Sequence, residues 1–97
     1  MASSETPVAT ERPAIDEGFW RTLLAEQERA LGAEHPEVAL TRHHLALTVS
    51  ERGDADEAGE LLRRAEQSLA SVAGDDDPRL ASVRAAITAL SNRGTDL

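Results

Sequence analysis

An all-α fold of four antiparallel helices is what this sequence predicts, and three observations predict it. The chain has 97 residues, the size of one small domain, and its apolar share of 40% comes with only 2% aromatics. A core must therefore be built from Ala, Leu and Val, and the seventeen alanines favour helix. The four prolines fall outside the periodic segments, two near the N-terminus and two where helices are expected to begin. Apolar residues recur at helical spacing in four segments, each punctuated by Gly, Pro or Asp.

The elements follow in order. Residues 1–14 are rich in Ser, Thr, Pro, Glu and Ala without periodicity, and read as an N-terminal tail. The first helix starts after Asp16, whose carboxylate can accept an unpaired first-turn N–H. Ile15 and Trp20 have the spacing of a hydrophobic staple. Phe19, Trp20, Leu23, Leu24, Ala30 and Leu31 form its stripe, and Gly32 is its stop. The second helix opens at Pro36, with Glu37 at the positive end of the dipole. Val38, Ala39, Leu45, Ala46 and Val49 line one face before Gly53.

Asp54 caps the third helix, with Glu57 placed as in a capping box. Its stripe is Ala58, Leu61, Leu62, Ala65, Leu69 and Val72, and Gly74 is the expected stop. Ala46, Ala58 and Ala65 are small enough to let the second and third helices approach closely. The fourth helix has Asp77 as cap and Pro78 as first residue, and its stripe is Leu80, Val83, Ile87 and Leu90. Gly94 is read as its end, so the helical domain spans 15–93 and residues 94–97 form a C-terminal tail.

A repeat runs through this pattern. Gly32, Pro36, Val38, Ala39 and Leu45 match Gly74, Pro78, Leu80, Ala81 and Ile87 at a constant offset of 42. Backwards, Leu61, Leu62, Ala65 and Val72 match Phe19, Trp20, Leu23 and Ala30. The first and third helices are thus one kind of element, and the second and fourth another, as in stacked helix pairs. Leu31-Gly32, His35-Pro36, Val38-Ala39, Leu45-Ala46, Gly53 and Ala58 carry a family resemblance. Over about residues 17–92 the chain resembles the bacterial 42-residue tetratricopeptide repeat of the kinesin-light-chain type. The resemblance implies about two helix-pair repeats, either a fragment of an α-solenoid or a compact bundle. The family's Asn-Asn pair is replaced by His43-His44 in one copy and Ala85-Ala86 in the other, and no third repeat follows.

Composition narrows the function classes. The net charge is −8, and a phosphate backbone needs a basic face, so nucleic acid is not an expected partner. All ten basic residues are Arg, a bias that fits a GC-rich bacterial genome. There is no Cys, hence no disulfide or thiolate site. No signal-type segment or spanning apolar run is present, which makes the cytoplasm the expected compartment and a membrane role unexpected. His43 and His44 are adjacent and diverge by about 100° on a helix, whereas a helical zinc pair needs i, i+4 spacing. His35 reads as a turn residue, and Asp75, Asp76 and Asp77 as helix-capping charge, since no calcium-loop spacing surrounds them. No nucleophile elbow or phosphate loop occurs. The expectation is a protein that is not an enzyme and has no cofactor or metal.

Recognition remains. The resemblance implies that a partner protein or peptide lies along a concave face made by the second and fourth helices. That face would present Leu40, His43, Leu47, Ser50 and Glu51 from one, and Ser82, Ala85, Ala89, Asn92 and Arg93 from the other. The acidic balance suits a basic partner, or simply keeps a small domain soluble. The expected role is an adaptor or accessory protein docking on a larger enzyme or regulator. The alternative is a structural module in which homodimerisation completes the array, because the outer face of the fourth helix has no polar capping helix after it.

Overall fold

The structure, a computed structural model, describes residues 16–94, with side chains described to residue 92. The described residues form four helices, α1 (Glu17–Leu31), α2 (Pro36–Glu51), α3 (Ala55–Val72) and α4 (Pro78–Gly94). The expected N-terminal tail, the Ile15 staple and residues 95–97 lie outside the described residues.

Local chemistry sets the boundaries. The Asp16 carboxylate accepts the Phe19 N–H at 2.9 Å and the Asp54 carboxylate accepts the Glu57 N–H at 3.0 Å, each replacing a missing helical acceptor. Gly32 (φ 96°) and Gly53 (φ 103°) turn the chain in backbone conformations that a side chain disfavours. Past Gly53, the Asp54 N–H reaches back to the Val49 carbonyl at 3.2 Å and closes α2. His35 does more than turn: its Nδ1 accepts the Glu37 N–H at 3.0 Å and caps α2. Asp77 accepts the Arg79 N–H at 2.8 Å and caps α4.

Two glycines behave differently from the expectation. Gly74 is not among the positive-φ residues, and α3 ends one residue earlier, where the N–H of extended Ala73 bonds the Leu69 carbonyl at 2.9 Å. Gly94 is the last helical residue rather than a stop outside the helix. The capping box is also one-sided. The Glu57 carboxylate pairs with Arg21 of α1 at 2.9 Å instead of reaching back to its own cap.

Short turns make consecutive helices neighbours. Packing follows chain order: α1 on α2, α2 on α3, α3 on α4, with the α2–α3 contact the most extensive. Among the described residues α1 and α4 share no comparable contact, so the helices form an open stack and not a closed bundle. The core joins Ala39, Leu45, Ala46 and Val49 to Ala58, Leu61, Leu62, Ala65 and Leu69, and extends to Leu80 and Val83. Ala46, Ala58 and Ala65 are fully buried, as close helix approach requires. Gly59 is buried too, and a Cβ there would lie 3.6 Å from the Leu90 methyl of α4.

The stripes fade at the ends of the stack. α1 has no fully buried residue, and Phe19 and Leu31 are 41% and 44% exposed. Among the described residues α1 packs on α2 alone to any extent. Val72, the last residue of α3, is 56% exposed.

Candidate functional site: an apolar cleft between the second and fourth helices

α2 and α4 stand on the same side of α3, and a shallow cleft opens between them. Leu47 and Ser50 form one wall, Ala86, Ala89 and Leu90 the other, and Leu62 of α3 the floor. Its volume is about 80 Å³ and its exposed surface is almost wholly apolar. Leu47 is 45% exposed, an aliphatic side chain left at the rim. The cleft is far below the several hundred Å³ of a cofactor or drug-sized pocket. It has room for an aliphatic side chain.

Three residues expected on the concave face meet here: Leu47, Ser50 and Ala89. Leu40 and His43 are half-buried farther along α2. Glu51, Ser82, Ala85 and Asn92 are exposed outside the cleft, and the Arg93 side chain lies outside the described residues. Leu62, Ala86 and Leu90 were not expected to line a site. Leu62 and Leu90 belong to core stripes, and their second role depends on how far apart α2 and α4 stand. The i, i+4 pair of Ala86 and Leu90 beside Ala89 is the signal available in the sequence.

His43 faces its neighbours more than solvent. Its ring lies alongside His44 (centroids 5.9 Å apart), and His44 stacks on Trp20 of α1 at 4.7 Å with 11° between planes. Phe19 meets Trp20 edge-on at 5.0 Å. This aromatic row ties α1 to α2. Burial, and then the adjacent His44, hold His43 below the usual imidazole pKa.

Two polar clusters join the helices elsewhere. Arg42 of α2 is 1% exposed; its Nη1 donates to the Ala33 carbonyl and its Nη2 to Glu28, both at 3.1 Å. The hydroxyl of buried Thr41 donates to Gln27. At the opposite end of α1, Glu17 pairs with Arg21 and Arg52, both at 2.8 Å, and Glu57 joins them. Hydrogen bonds from Arg52, then Arg21, hold the Glu17 carboxyl below its usual pKa. Among the described residues no three His, Asp or Glu side chains converge as metal ligands, and no helix is long and apolar enough to cross a membrane.

No protein-family model, curated protein or solved structure matches the chain.

Proposed function

We propose that this chain is a non-catalytic, tetratricopeptide-like recognition module of bacterial origin that docks on a larger protein through the α2–α4 cleft. The occupant is an extended segment of a basic partner. One aliphatic side chain enters the cleft, and Arg or Lys residues flank it. The single observation carrying this reading is the cleft itself: an apolar slot walled by Leu47 and Ala89, too small for a cofactor and set in a chain of net charge −8. The apolar contact supplies affinity, and the charge supplies steering and salt dependence. The 42-residue repeat supports the same face, because it makes α2 and α4 equivalent elements presented side by side.

The test is selection from a random peptide library at low salt. Selected peptides are expected to share an aliphatic residue flanked by basic ones, and to lose binding at least tenfold to Leu47→Gln/Ala89→Gln with helical circular dichroism unchanged. Both substituted residues are exposed, so the fold tolerates them. Peptides that bind parent and variant equally would overturn the reading.

A further inference from the structure

The two ends of the stack carry complementary halves of its own largest interface. Inside the molecule α2 is covered on both sides, by α1 and α3, and α3 is covered by α2 and α4. Among the described residues α1 and α4 each have one extensive covering neighbour. The 42-residue offset shows what each lacks. α4 is the counterpart of α2, and its contact with α3 corresponds to that of α2 with α1. What α4 lacks is therefore the counterpart of α3. By the same offset α1 is the counterpart of α3, and what it lacks is the counterpart of α2.

Exposure follows this correspondence residue by residue. Leu61 is 9% exposed within α3, and its equivalent Phe19 on α1 is 41% exposed. Ala65 is fully buried, and its equivalent Leu23 is only half-buried. On α2, Ala39 and Ala46 are fully buried, while their equivalents Ala81 and Thr88 on α4 are exposed. α4 thus shows a face of small residues, with Ala85 between Ala81 and Thr88, and α1 shows large apolar ones. The core shared by α2 and α3 likewise joins small residues, Ala39 and Ala46 of α2 and Ala58 and Ala65 of α3, to the larger Leu61, and on α1 Leu23 stands in the place of Ala65.

We infer that a second copy of this chain covers each end: α4 of one copy packs against α1 of the next in the manner of α2 against α3. The contact joins two different surfaces, so each copy keeps one free end and association runs head to tail, into a ring or a short filament. The missing contact is of the most extensive kind in the fold, which is why a second copy fits better than an unrelated partner. The interface is separate from the α2–α4 cleft, so the two surfaces can be broken independently.

Sedimentation velocity of the full chain over micromolar to millimolar concentration is the test. The parent is expected to gain mass with concentration beyond a dimer. Phe19→Arg blocks the α1 face, and Ala81→Arg/Thr88→Arg blocks the α4 face; each variant alone is expected to stay monomeric with unchanged helical circular dichroism. Mixed, they retain one α1 face and one α4 face between them and are expected to form a heterodimer and nothing larger. A parent chain that stays monomeric throughout overturns the proposal. So does an association that either variant still shows alone, because another surface then carries it. A mixture that stays monomeric while the parent associates overturns the head-to-tail arrangement, as a closed two-fold dimer that needs both faces of each copy would give that result.

Discussion

Arg42 carries a charge into the core of a helix stack at 1% exposure. Its guanidinium ties α2 to the carboxylate of Glu28 and to the Ala33 carbonyl just past α1, while its Nε is buried without a protein acceptor. A buried charge with an incomplete set of partners stabilises little, and deleting the charge costs less than stranding it. Arg42→Met keeps most of the volume and is expected to stay within about 1 kcal/mol of the parent. Glu28→Ala strands the guanidinium and loses a charge-assisted hydrogen bond, an effect of about 1–2 kcal/mol once Glu28's partial exposure is allowed for. Urea melts of the two variants decide the matter: a costlier Arg42→Met would mean that the ion pair itself holds α1 in place. None of this was legible in the sequence, where an Arg within an amphipathic helix reads as a solvent residue. Its burial depends on Glu28 and Ala33, which belong to the α1 end, so it is a tertiary fact.

At the scale of the helix, most boundaries were legible because they are chemical. Asp16, Asp54 and Asp77 supply acceptors to unpaired N–H groups, and Gly32 and Gly53 supply backbone freedom. Gly74 was read by analogy with Gly32, and the analogy failed because extended Ala73 already ends α3. The Asp77 cap is also an electrostatic element. A side-chain hydrogen bond from Arg79, then its backbone N–H, holds the Asp77 carboxyl down to about 2, against an ordinary 3.8. A depressed acid contributes stability that is present above its unfolded pKa and lost as pH falls through its folded one. The contribution of Asp77 is therefore intact above pH 3.8 and gone below about 2. Asp77→Asn preserves a capping oxygen but removes the charge. The melting temperatures of parent and variant are expected to differ at pH 5 and to converge as pH falls through that window, and salt should narrow the gap. A gap that persists at pH 2 would assign the effect to cap geometry and not to charge.

At the scale of the whole molecule, the decisive feature is that helices touch only in chain order to any extent. Stability in such a stack is close to a sum over neighbouring contacts. The cleft illustrates the same point for the site: the repeat told which helices face one way, but the depth between Leu47 and Ala89 depends on how α3 spaces them. Leu62 is the residue through which all of this passes. It is 2% exposed, belongs to the joint core of α2, α3 and α4, and floors the cleft. Leu62→Asp would bury an unpaired carboxylate there, at a cost of several kcal/mol against a total of about 5–15. The helical signal is expected to be lost as a whole. Leu24→Asp is the contrasting case. Leu24 is half-buried on α1 at the end of the stack, so a charge there has water within reach and only the α1–α2 contact to break. That variant is expected to melt at a lower temperature yet retain α2, α3 and α4, with amide exchange accelerated in α1 alone. Equal collapse of both variants would show one cooperative unit in place of a chain of pairwise contacts.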